Sequence, residues 1–232
     1  MSEPVRLSKR VIELFGCSRR EAELYITGGW VRVAGQVIEA PQYKVRDESI
    51  ELDPNARLEP QEPVTLLLHA VAGETRRSLG PDSHWSEDPH TRRILYSHFQ
   101  RQQESLPLQQ GASGLLILSQ DWRTQRKLRE DATRLEQEYL MEVRGELPPA
   151  MLERVKKGLL HKGRQFPPCK LSWQSEQRLR VAVKNPPPTL LHEMSTALGL
   201  ELLGMRRIRV GGVPMAKLPA GQWRYLGDKE RF

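Results

Sequence analysis

Leu108-Gln109-Gln110-Gly111-Ala112-Ser113-Gly114-Leu115-Leu116-Ile117-Leu118-Ser119-Gln120-Asp121 carries a polar, glycine-bearing loop straight into a short apolar run bounded by polar residues. A run of that length predicts a buried strand, and Gly111 and Gly114 let the backbone ahead of it approach a neighbour closely. The pattern is that of an active-site loop presented at the end of a rigid element.

The 232 residues suffice for a small domain beside a larger one, and two domains are expected. A hydrophobic content of 38% with 28% charged residues is ordinary for a soluble protein. No apolar run approaches the roughly 18 residues that a membrane span requires. Met1-Ser2-Glu3-Pro4-Val5-Arg6 lacks the apolar core of a signal peptide, so a cytoplasmic protein is expected. Cys17 and Cys169 have neither disulfide-framework nor metal-site spacing and are expected to be reduced, packed thiols. A net charge of +7 is compatible with a polyanionic partner, although charge alone decides nothing.

From Arg6 to Phe15, Leu7, Val11, Leu14 and Phe15 recur at helical spacing, Arg6, Lys9 and Arg10 fall largely off that face, and Gly16 is placed to end the helix. Ser18-Arg19-Arg20-Glu21 predicts a capping box opening a second helix, with Ala22, Tyr25 and Ile26 inward and Gly28-Gly29 closing it. Val31-Arg32-Val33 alternates like a strand before an Ala34-Gly35 turn, and a small sheet returns through Val37-Ile38, Lys44-Val45 and Ser49 to Leu52.

These motifs, in this order, resemble the RNA-binding module first described in the fourth protein of the small ribosomal subunit. The matching residues are Arg6 to Lys9, Cys17 to Ala22 and Gly29 to Gly35. The resemblance implies a module at residues 1–58 that meets folded RNA through Arg6, Lys9, Arg10, Ser18, Arg19, Arg20 and Arg32. A helix start bearing paired arginines offers backbone donors and guanidinium forks to phosphate. The bland alternative is a solvated helix start.

Residues 59–232 form the second expected domain. Ala56 to Pro63 is polar and proline-bearing, a linker, and Val64 to His69 predicts its first strand. Glu74 to Leu106 is expected to be mostly loop, with a short helix around Ile94 to Phe99. His84, His90 and His98, with Asp82 and Asp88, match no metal-site spacing and are expected to be solvated loop residues. A charged helix over Trp122 to Ala132 with Leu128 inward, a strand over Glu136 to Val143, a helix over Pro148 to Gly158 and paired strands at Lys170 to Trp173 and Arg178 to Val183 follow. Trp122 to Lys184 holds 15 Lys or Arg against 8 Asp or Glu, a surplus equal to the net charge of the whole chain. That surplus is either an RNA-facing surface or the wet face of an antiparallel sheet. Pro186 to Pro188 form a stiff lead-in to a helix with Leu190, Leu191, Met194, Ala197 and Leu198 toward a core, the functional alternative being a proline-rich ligand.

The larger domain resembles the pseudouridine synthases that act on ribosomal RNA, most closely the branch with an added N-terminal RNA-binding module. Their loop reads Arg-Leu-Asp-x-x-Thr/Ala-Ser-Gly-Leu-Leu-Leu-Leu-Thr-Asn-Asp, its first Asp being catalytic. Leu108, Ala112, Ser113, Gly114, Leu115, Leu116, Leu118 and Asp121 fit, but Pro107 stands in place of the Arg and Gln109 in place of the catalytic Asp. Their Asn-Lys-Pro-x-Gly keeps only its glycine, at Gly73, and their Asn-Arg-Gln-Ile-Arg-Arg-Met, whose arginine pairs with that Asp, is replaced by Pro188-Thr189-Leu190-Leu191-His192-Glu193-Met194. Tyr139 is retained where the family stacks a tyrosine on the target base, and a core role suits it equally well. Leu203 to Gly211 and Leu218 to Leu226 resemble the last family strands, with Arg206, Arg207 and Arg209 as RNA contacts or sheet-face charges.

The resemblance implies an α+β protein with a mixed, mainly antiparallel sheet in the larger domain. It also implies a monomer, no cofactor or metal, no membrane, and a structured RNA partner, ribosomal RNA above all. A glutamine amide is neither a nucleophile nor a carboxylate base, so loss of isomerase activity is expected at Gln109. The rival expectations are an active isomerase using another carboxylate, Asp121 being nearest, and a protein-interaction module.

Overall fold

The computed structural model describes residues 3–73, 79–90, 92–161 and 163–232, which fall into two units. One is built from the chain up to Pro63 together with Arg92–Gln100, the other from Val64 onward without that segment. Residues 74–78 and Thr91, within the stretch Glu74 to Leu106 expected to be mostly loop, lie outside the described residues.

The smaller unit opens with β1 (Val5–Arg6) and α1 (Leu7–Phe15), whose Leu7 and Val11 are fully buried. Gly16 ends the helix at φ +63° and returns its N–H to Ile12 O, a left-handed stop suited to glycine. α2 (Arg19–Thr27) starts on the predicted capping box: Ser18 N donates to Glu21 Oε2 at 2.7 Å and Glu21 N to Ser18 Oγ at 3.3 Å. β2 (Val31–Val33) and β3 (Gln36–Val37) meet across the Ala34-Gly35 turn, where both residues have positive φ. β4 (Lys44–Val45) does not join this sheet, contrary to expectation; it pairs with β1, Val5 opposite Val45. The reason is that Val45 is drawn into the core with Leu7 and Val11, where it is fully buried. β5 (Ile50–Leu52) completes the sheet in the order β3-β2-β5.

Arg92–Gln100 belongs to the same unit because Arg93 anchors it there. The guanidinium lies 3.8 Å over the Trp30 ring, reaches Asp53 Oδ2 at 3.0 Å and donates to Gly29 O. The short helix expected here is a 3-10 turn over Tyr96–Phe99. His98, expected in solvent, is instead buried, and burial, aided by Arg92, lowers its pKa to about 4.

The larger unit runs β6 (Thr65–Ala70), β7 (Gln103–Glu104), β8 (Ser113–Ser119), α3 (Trp122–Glu130), β9 (Glu136–Arg144), α4 (Pro149–Lys156), β10 (Leu160–His161), β11 (Arg164–Gln165), β12 (Lys170–Ser175), β13 (Arg178–Lys184), α5 (Leu190–Ala197), β14 (Glu201–Val210), β15 (Val213–Pro214) and β16 (Trp223–Tyr225). Its sheet has the order β12-β13-β9-β14-β8-β6-β16, with β15 beside β14 and β7 beside β8, while β10 and β11 form a separate hairpin. The sheet pairs are antiparallel except β14 with β8. The α+β, mainly antiparallel expectation therefore holds. β6 is buried throughout and β8 nearly so, which is why both read as continuous apolar runs rather than alternating ones. One core gathers Tyr139, Met141, Leu179 and Val181 under Val155 of α4 and Leu191 and Met194 of α5; a second gathers Leu115 and Ile117 with Leu128 of α3.

Asp88 also departs from its solvated expectation. It is buried, its Oδ2 accepting from Tyr225 N at 2.9 Å and lying 3.0 Å from His84 Nε2, its Oδ1 accepting from His90 N at 2.9 Å. It closes a loop against β16. Among the described residues no group of three or more His, Cys, Asp or Glu is placed to hold a metal ion, and no helix is long and apolar enough to cross a membrane.

Candidate functional site

The loop ahead of β8 is shaped by close backbone approach. β8 pairs in parallel with β14, Arg206 opposite Ser113 and Arg207 opposite Gly114. Gly114 has φ +106°, and a Cβ there would sit 2.3 Å from Arg207 O. Only glycine fits both the conformation and the space.

Gln109 is buried, 3% exposed. Its Nε2 donates to Pro187 O at 2.7 Å, and its Oε1 accepts from Leu191 N at 3.1 Å. Gln110 repeats the join: its N donates to Pro188 O at 2.8 Å, and its O accepts from His192 Nε2 at 3.0 Å. Thr189 supplies no side-chain cap to α5, so Gln109 takes that part by serving the Leu191 N–H in the first turn. The site demands one donor and one acceptor from a single side chain. An amide provides both, whereas an ionised carboxylate would set an acceptor against the Pro187 carbonyl.

Arg207 lies beneath this loop and is fully buried. Its Nε donates to Leu115 O at 2.8 Å, Nη2 to Leu106 O at 2.8 Å, and Nη1 to Pro107 O at 3.1 Å and to Gln137 Oε1 at 3.0 Å. The expectation that Arg207 contacts RNA is therefore corrected: its donors are spent on the protein, and they fix the backbone just ahead of Gln109. Gln137 Oε1 also accepts from the Tyr139 hydroxyl at 3.0 Å. Tyr139 is fully buried in the same core as Ala112, so of its two expected roles the structure displays the core one. Gln137 was not singled out in the sequence, because a glutamine between two glutamates in a strand carries no local sign of facing inward.

Asp121 serves as the N-cap of α3. It accepts from Thr124 Oγ1 at 2.7 Å, Thr124 N at 3.0 Å and Arg123 N at 3.2 Å. Burial acts to raise its pKa, but these hydrogen bonds outweigh it and hold the carboxyl below its usual value. It stands at the opposite end of β8 from Gln109.

Arg209 is half-buried and engaged. It donates to Glu138 and to Gly211 O, and its Nη2 lies 2.9 Å from Glu136 Oε1. Arg180 joins Glu138 at 2.5 Å and Lys170 joins Glu136 at 2.8 Å. These cations hold both carboxyls low, Arg209 foremost for Glu138 and Lys170 for Glu136. Of its two expected roles, RNA contact or sheet-face charge, Arg209 displays the second, and Arg206 alone of the three is exposed. Within residues 122–184, Lys170 and Arg180 are thus matched to acids on the sheet rather than left free. In the smaller unit Arg6, Lys9, Ser18, Arg19, Arg20 and Arg32 are exposed and Arg10 is half-exposed. Arg6 and Arg19 line one concavity of about 310 Å³, and Arg19 also pairs with Glu23 at 3.0 Å.

Residues 5–50 match the S4 domain family. Over 97% of its length the chain is 27% identical to an uncharacterized RNA pseudouridine synthase of Aquifex aeolicus, of which it covers 92%. It is 25% identical over 97% of its length to the dual-specificity RNA pseudouridine synthase RluF of Escherichia coli, covering 77% of that protein. Ribosomal large subunit pseudouridine synthase B of Bacillus subtilis is 25% identical, with 97% of this chain and 93% of that protein covered. The crystal structure of a pseudouridylate synthase shares the fold at a TM-score of 0.58 and 17% identity, covering 96% of each chain.

Proposed function

We propose that this chain, which belongs to the RNA pseudouridine synthase family and carries an S4 domain, binds structured ribosomal RNA without isomerising its uridines. The observation that carries the second half is Gln109. At the place where the family resemblance puts the catalytic carboxylate, a buried amide is hydrogen-bonded through both polar atoms to Pro187 and Leu191. It offers neither charge nor a free lone pair of useful basicity to a nucleotide. Asp121 gives the active reading no support, since its carboxylate is committed to capping α3. Binding is supported by the S4 match, by the name of the Bacillus subtilis relative and by the exposed cations of the smaller unit. Arg6, Lys9, Arg19, Arg20 and Arg32, with Ser18, Arg10 and Arg206, are the phosphate contacts this reading selects.

The test is retention of structured ribosomal RNA as a function of salt. Arg19→Glu with Arg20→Glu weakens binding and flattens the log–log slope by about one unit for each phosphate left without its cation. Equal affinity and slope in wild type and double variant remove this helix from the RNA interface.

A further inference from the structure

We infer that the outward face of α3 is a second RNA contact, where Trp122 stacks on an unpaired base and Arg123 and Lys127 hold the flanking phosphates. The inference rests on the RNA-binding reading above and extends it to a surface away from the catalytic-type loop. Six residue steps along β8 separate Ser113 from Ser119, a span of about 20 Å at the strand rise of roughly 3.3 Å per residue. A base held at Trp122 is therefore not the nucleotide presented to Gln109.

α3 turns Gln125 and Leu128 inward, both buried. At 3.6 residues per turn this sends Arg123, Arg126 and Lys127 away from the buried edge, while Trp122, three residues before Gln125, stands on its flank at the helix start. Trp122 is 60% exposed, and the Arg123 guanidinium lies 5.7 Å from its ring centroid. Arg126 is tied to Glu130 at 2.9 Å, but among the described residues Arg123, Lys127 and the neighbouring Arg129 make no ion pair. Asp121, whose pKa Arg123 helps to lower, turns its carboxylate into the helix end. The helix start thus combines one exposed aromatic ring, with the Arg123 guanidinium over it, and cations outside any salt bridge, the pairing from which single-stranded nucleic-acid sites are built. It carries no other large apolar side chain, so a protein partner finds no hydrophobic patch on which to seat, while stacking and phosphate pairing need only what is present.

The full-length protein is titrated with a short fluorescent single-stranded oligouridine, and separately with structured ribosomal RNA. Trp122→Ala is expected to weaken oligouridine binding by about tenfold, the order of loss for one stacked base, while Trp122→Phe retains most of the affinity. Arg123→Glu with Lys127→Glu lowers the single-strand salt slope by about 1.4. All three side chains are exposed, and an unchanged melting midpoint shows that the fold is intact. If structured RNA binds through Arg19 and Arg20 but the α3 variants bind oligouridine as wild type does, this proposal alone is overturned and the face is left to a protein. If wild type binds neither RNA, the RNA-binding reading falls with it.

Discussion

Gln109 fills a position that asks for one donor and one acceptor, and Gln109→Glu tests whether that demand is structural. The variant keeps the length and the acceptor for Leu191 N but loses the donor to Pro187 O, leaving a buried carboxylate facing a carbonyl. A loss of about 1–3 kcal/mol is expected at neutral pH, read by urea unfolding. The loss shrinks on acidification, because the protonated carboxyl regains an O–H donor. A variant as stable as wild type would show that the two hydrogen bonds carry little. His98 sets a separate pH dependence. Its folded pKa of about 4 lies below the ordinary 6.5, so between those values the unfolded chain binds the extra proton. Its contribution is complete above 6.5 and is lost as the pH falls toward 4. His98→Gln should flatten the stability curve in that window, and parallel curves for the two proteins would exclude His98 as the cause.

The elements built from local chemistry were legible in the sequence. The Ser18–Glu21 capping box, the Gly16 stop and the Ala34-Gly35 turn each involve residues a few positions apart, and each formed as expected. Arg207 was not legible as buried: Arg206 and Arg207 are consecutive in a strand, so one of the two faces inward, but only register decides which. That register comes from the parallel join of β8 to β14, which Gly114 permits. Gly114→Ala would drive a methyl into Arg207 O in a backbone conformation that alanine resists. A loss of more than about 2 kcal/mol is expected. A melting midpoint equal to wild type would mean that the join relaxes without cost.

Across the whole molecule, partners distant in sequence were the hardest to read. Gln109 finds Pro187 and Leu191, and Arg93 finds Gly29 and Asp53, through tertiary packing that no periodicity encodes. The segment 92–100 consequently belongs with the smaller unit although it lies within the larger one in sequence. Charge was legible as a total but not as pairs, since Arg180, Arg209 and Lys170 are matched to Glu136 and Glu138. The scaffold of a pseudouridine synthase was therefore readable along the chain, while the use to which its loop is put rests on Gln109. The most direct measurement is release of tritium from ribosomal RNA labelled at uridine C5, with the protein in excess. Wild type releases none above background, and Gln109→Asp alone releases none either, lacking an arginine at the position of Thr189 to pair with the new carboxylate. Release by the wild-type protein, with pseudouridine at a defined nucleotide and loss of that activity in an Asp121 variant, would contradict the account.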